Sequence, residues 1–152
     1  MTKHYYKNQP TVLETIVLGL LKAIWFLISL PFRGIKWGRG KSGLSTEEKN
    51  YITSKRLEIE KMLGSENQIE LRHAVMEADK LADYTMKQKG YAGETFADRL
   101  RSAQDSMPKN VYNDAWQGHK VRNQIAHEQM DGIQNTELRE SAKKLLAFIK
   151  NL

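Results

Sequence analysis

Cysteine is absent from the 152 residues, which excludes a disulfide framework, a thiolate metal site and a cysteine nucleophile. Also missing are a glycine-rich phosphate loop after a strand, a His-Glu-x-x-His pair, and a serine or lysine nucleophile constellation. No stretch alternates apolar and polar residues for long enough to argue a strand. There is no internal repeat and no low-complexity region. At this length the chain holds one compact domain with an appendage rather than two full domains.

A further lack emerges when the net charge of +6 is mapped along the chain. Lys3, Lys7, Lys22, Arg33, Lys36, Arg39 and Lys41 stand against Glu14 alone, so residues 1–41 hold the whole excess. Residues 42–152 carry 17 basic side chains against 17 acidic ones and are neutral. The basicity therefore flanks or lies within an apolar segment, where it is topogenic or lipid-directed. A neutral domain binds RNA at a focused site and not through a broad electrostatic funnel.

What is present begins with that segment. Thr11 to Phe32 reads TVLETIVLGLLKAIWFLISLPF, about 33 Å as a helix and enough for a hydrocarbon core of roughly 30 Å. From Val12 to Phe32, 13 residues are Val, Leu, Ile or Phe, and together they outweigh a central Lys22 that costs about 2.5–3.5 kcal/mol. On a helical wheel Thr11, Thr15, Lys22 and Ser29 share one narrow stripe. That stripe suits a spanning helix facing a partner or letting Lys22 snorkel, or else an interfacial helix lying in the headgroup plane. The wide apolar arc favours spanning. Leu30-Pro31-Phe32 offers no small-x-small cleavage site, which argues against a removed signal peptide. Arg33, Lys36, Arg39 and Lys41 after the segment outnumber Lys3 and Lys7 before it. The expectation is a single-pass cell-membrane protein, in contact with membrane lipid, with its N-terminus outside and its C-terminal domain in the cytoplasm.

After a basic, glycine-rich linker at 33–44, the sequence predicts an all-α bundle of four to five helices, up and down, over 45–152. Ser45 to Glu48 reads as a capping box opening a helix to about Leu63. Ser65 to Gln68 reads as a second, opening a helix over about 66–88 with Gly90 as its C-cap. A short helix is expected around 94–104 and a longer one over about 109–129. The last is capped by Asn135 or Thr136 and carries Leu138, Ala142, Leu145, Leu146 and Ile149. Met62, Met76, Met86 and Met107 read as core and gap fillers. Glu77, Asp79 and Asp83 scatter around their helix and read as a solvated face, so no metal is expected, and no cofactor. His4 and His73 read as a tail residue and a helix-surface residue.

Chemistry concentrates in the fourth helix, at Ala115-Trp-Gln-Gly-His-Lys-Val-Arg-Asn-Gln-Ile-Ala-His127. Arg122 shares an angle with Val111, Ala115 and Ile125, on the face that ought to be buried. It must then be paired, as with Glu77 or Asp83 across the bundle, or open onto a cleft or a second subunit. His119, Asn123 and His127 form a polar ridge beside Tyr112 and Trp116.

Arg122-Asn-Gln-Ile-Ala-His127 resembles the Arg-x4-His signature of the HEPN superfamily, on the penultimate helix of a bundle of the right size. The resemblance spans about 45–152, with six residues carrying its specific part. It implies a metal-independent endoribonuclease of defence, toxin or stress type, working as a homodimer whose motif helices meet. Arg122, Asn123 and His127 would be its catalytic residues and His119 a phosphate contact. His127 would be the general base or acid for attack of a ribose 2′-OH on the adjacent phosphate. Arg122 would stabilise transition-state charge, and Asn123 would orient the imidazole or the phosphate. The toxin branch paired with nucleotidyltransferase antitoxins commonly has Tyr two residues after the His, where this chain has Gln129. Two other readings stand beside the nuclease. One is a non-catalytic adaptor whose bundle binds a partner protein at the membrane. The other makes the helical domain a small head on a membrane helix that acts through Lys22.

Overall fold

The computed structural model describes residues 43–127 and 132–152. The expected membrane segment Thr11–Phe32, the linker up to residue 42, His4 and Gln129 lie outside them. Among the described residues there are five α-helices and one 3-10 turn, with no strand. They are α1 (Thr46–Met62), α2 (Gln68–Gln88), α3 (Phe96–Ala103), α4 (Lys109–Ala126) and α5 (Asn135–Asn151), with the turn Gln104–Ser106 following α3. None of these helices is long and apolar enough to cross a membrane.

Each boundary has a local cause. Ser45 and Glu48 make the expected capping box: Glu48 N–H donates to Ser45 Oγ at 3.1 Å and Ser45 N–H to Glu48 at 2.7 Å. Thr95 and Asp98 make a second box at α3. The second box expected from the sequence, at Ser65, is not formed. Asn67 caps α2 by accepting from Ile69 N–H at 2.9 Å, while Ser65 Oγ serves Asn67 N–H. The N-cap falls at Asn67, a residue as well suited to it as Ser, and Ser65 supports it from two residues before. Gly90 ends α2 at φ 81°, with Tyr91 N–H on Met86 O and Gly90 N–H on Lys87 O. That pair of bonds is the Schellman arrangement, which the left-handed backbone of glycine allows without strain.

Helix α5 departs from expectation at its start. Gln134 occupies the N-cap without a side-chain bond, and neither Asn135 nor Thr136 caps it. Asn135 Nδ2 instead donates to Glu66 O at 3.0 Å. Arg139, one turn on, donates to Leu63 O, Ser65 O and Glu66. Gln68 Nε2 donates to Ile133 O at 2.8 Å. Side chains at the start of α5 thus satisfy carbonyls in the α1–α2 turn, and the tertiary contact overrides the local cap.

The core is built around α2, which packs against every other helix. Its Leu71, Ala74, Val75, Ala78, Leu81, Ala82 and Met86 are all buried, as their three- and four-residue spacing predicts. Each fully buried large side chain among them contributes about 1.5–3 kcal/mol. Ile52 and Ile59 of α1, Phe96 and Leu100 of α3, and Leu138, Leu145, Phe148 and Ile149 of α5 close the core. Met86 lies fully inside, Met62 and Met107 pack on the edge, and Met76 is only half-buried and outside the cluster. Arg99 is buried as well. It pairs with Asp83 at 2.9 Å and donates to the carbonyls of Gly93 and Glu94, fixing the loop between α2 and α3.

Helices α4 and α5 approach closely at Gly118. A Cβ built there would lie 2.5 Å from Leu145 Cγ, and Leu145 is fully buried. Gly118→Ala gains about 1 kcal/mol of helix propensity and loses about 1–3 kcal/mol to overpacking. We expect a net destabilisation of about 1 kcal/mol in urea titration. A stabilised Gly118→Ala variant would show that the helices can move apart without cost.

Candidate functional site

Helix α4 presents three faces. Ala115, Gly118 and Val121 are buried toward the core. Val111, Arg122 and Ile125, the stripe expected inside, are only half-buried. On the remaining flank Trp116, His119, Lys120, Asn123 and His127 wall a groove of about 500 Å³, with Gln117 and Gln124. No acidic side chain among the described residues lines it. A smaller cleft of about 270 Å³ lies on the far side of Lys120, between α4 and α5, and there Glu137 and Glu140 make the charge mixed.

The groove's geometry is set from beneath, by α2. Asp79 is 4% exposed, among the most buried polar residues of the domain. Its Oδ1 lies 2.8 Å from His119 Nδ1, and its Oδ2 lies 3.4 Å from Arg122 Nε. A buried carboxylate without partners would cost several kcal/mol, so two donors from α4 converge on it. A carboxylate only accepts, so Nδ1 carries the proton. Nε2 is left as the ring nitrogen available to the groove that His119 lines. The ring is held on its edges too: Phe96 lies 5.1 Å away and Trp116 6.0 Å, both edge-on. Arg101 of α3 sits 5.7 Å over the Trp116 ring, a cation–π contact that fixes the indole.

The expected site residues are partly gathered. His119, Asn123 and His127 share the groove. Arg122 does not line it. Its side chain, about one-third exposed, reaches Asp79 through Nε and donates from Nη1 to Asn123 Oδ1 at 3.0 Å. Its buried partner is therefore neither Glu77 nor Asp83. Glu77 pairs with Lys80 at 2.7 Å, and Asp83 with Arg99. The Lys80 hydrogen bond also holds the Glu77 carboxyl below the ordinary carboxylate range. His127 is exposed and forms the C-cap of α4, its N–H on Asn123 O at 3.1 Å. His73 is exposed on α2, 3.7 Å from Glu77.

Asp79 is the residue the sequence reading misplaced. Counted with Glu77 and Asp83 it looks scattered onto a solvated face, and the structure buries it. The signal was its register: Val75, Asp79, Ala82 and Met86 fall at i, i+4, i+7 and i+11, a single buried stripe. An acid on such a stripe requires donors, and α4 supplies two, the His119 ring and the Arg122 guanidinium. Glu77, Asp79 and Asp83 each have a different partner, and no cluster of His, Asp and Glu able to hold a metal occurs among the described residues.

Comparison of the chain with protein-family models, with curated proteins and with solved structures finds no match.

Asp79→Asn tests that geometry. An amide can turn either its oxygen or its nitrogen to the ring, so the tautomer of His119 is no longer fixed. Nitrogen-15 NMR of the ring is expected to show Nδ1–H with bare Nε2 in the parent and a mixture in the variant. Stability should fall by about 1–3 kcal/mol. An unchanged tautomer would mean that Asp79 does not orient the imidazole.

Proposed function

We propose that this chain is a membrane-tethered, HEPN-like helical domain that cleaves RNA without a metal ion, as a homodimer meeting through α4, in a defence, toxin or stress role. The observation that carries the reading is the groove on α4: three of the four expected site residues wall it, and no described acid does. A negatively charged strand meets there Lys120, two imidazoles and the amide of Asn123, with no carboxylate to repel it.

In this reading His127 exchanges the proton of the attacking 2′-OH or of the leaving oxygen. Asn123 orients the phosphate, and Arg122 stabilises the charge that develops on it. Asp79 and Asn123 occupy Nε and Nη1 of Arg122, and a guanidinium has further N–H donors to offer. His119 and His127 are eight residues apart, which is about 12 Å along a helix. One phosphate does not span that distance, so in a dimer meeting through α4 the second copy's His127 supplies the other proton transfer. The apolar segment Thr11–Phe32 spans the membrane and holds the domain on the cytoplasmic side, with Arg33, Lys36, Arg39 and Lys41 against the lipid headgroups.

One observation favours the adaptor reading. Asp79 takes both His119 Nδ1 and Arg122 Nε, so the two residues could serve only to bury a carboxylate between helices. Incubating the detergent-solubilised full chain with RNA in EDTA separates the two readings. We expect cleavage, with Arg122→Ala and His127→Ala each reducing it about 100-fold or more while remaining folded by circular dichroism. Equal behaviour of all three proteins would remove the nuclease and leave the adaptor. For the anchor, carbonate extraction should leave the chain in the membrane pellet. Release into the supernatant would contradict a spanning helix.

A further inference from the structure

The groove contains more than the motif residues, and what it adds is suited to a nucleotide. Trp116 provides an aromatic wall, and bases of any sequence stack on such a surface. Lys120, exposed on the same flank, provides a point charge for phosphate. His119 differs from His127 in being pre-set. Its Nδ1 is tied to a buried carboxylate and its ring is wedged between Phe96 and Trp116. A ring held in this way loses little freedom on meeting a ligand, so its Nε2 is a preorganised acceptor for a ribose hydroxyl. Gln124 lines the groove as well, with an Oε1 that is shielded from solvent and has no hydrogen-bond partner.

We infer that the groove is a subsite for one nucleotide of a single RNA strand. Trp116 stacks the base, Lys120 neutralises the phosphate, and His119 accepts the ribose 2′-OH through Nε2. Asp79 is the positioning residue that fixes the tautomer of His119. The inference rests on the RNA part of the proposed function and does not require cleavage. Volume and charge fit this occupant. About 500 Å³ suits a nucleotide-sized ligand, and the lining is basic or neutral in a domain that is otherwise balanced. A double helix is a poor fit, because its bases are not free to stack on a side chain.

The test uses the full chain in detergent micelles and a fluorescein-labelled ribonucleoside 3′-monophosphate. The probe keeps the free 2′-OH that His119 accepts from, and with no internucleotide linkage it cannot be cut. Anisotropy should report binding by the parent. Trp116→Ala and His119→Ala should each weaken it about tenfold. Lys120→Glu should weaken it at least as much and flatten its salt dependence. Lys143→Glu, the same charge change on exposed α5, should leave affinity within about twofold. Melting curves accompany each variant, and Lys120→Glu alters only an exposed side chain, so it decides the matter even if Trp116→Ala unfolds. Failure of the parent to bind, or equal binding by Lys120→Glu, His119→Ala and the parent, overturns the subsite. Binding that depends on these residues while ordinary RNA stays intact in EDTA keeps the subsite and removes the nuclease. Cleavage of ordinary RNA that all three substitutions leave unchanged keeps the nuclease and removes the subsite.

Discussion

A single carboxylate, that of Asp79, sits where α2 passes beneath α4, and much of the local structure follows from its need for partners. Burying it costs free energy that only donors at close range can offset. His119 and Arg122, nearly one turn apart on α4, supply them at 2.8 and 3.4 Å. Because both donors come from the same helix, the pairing fixes how α4 is rotated as well as where it lies. That rotation sends Ala115, Gly118 and Val121 inward and turns the flank bearing Trp116, Lys120, Asn123 and His127 to the groove. Gly118 against Leu145 sets the closeness of α4 to α5, and Asp79 sets its angle about its own axis.

The helices were legible in the sequence because their signals are local. Capping at Ser45, the glycine stop at Gly90 and the apolar stripe of α2 depend on residues within a turn or two, and the structure keeps all of them. The cap at Asn67 displaces the expected box at Ser65 by a local competition that spacing alone does not resolve. The start of α5 was illegible for a different reason. Asn135 and Arg139 spend their hydrogen-bonding capacity on the α1–α2 turn, roughly 70 residues away in sequence.

The candidate site was half legible. Arg122 on a core-facing stripe demanded a partner, and it has one. The charge pattern of Glu77, Asp79 and Asp83 does not single out its partner, because only Asp79 falls in register with the buried Val75, Ala82 and Met86. The groove depends on that tertiary pairing and on Phe96 and Arg101 of α3, so no single segment encodes it. The charge map and the groove agree in one respect. A domain of balanced charge meets an anion at a focused site, and one flank of α4 is lined by basic and neutral side chains alone.

The central claim is that Asp79 and His119 act as a coupled pair across the α2–α4 interface. A double-mutant cycle with Asp79→Asn and His119→Gln, read by urea unfolding, measures that coupling directly. The account expects a coupling free energy of about 1 kcal/mol or more, as found for side chains sharing a buried hydrogen bond. Two losses that simply add, to within about 0.5 kcal/mol, would contradict it.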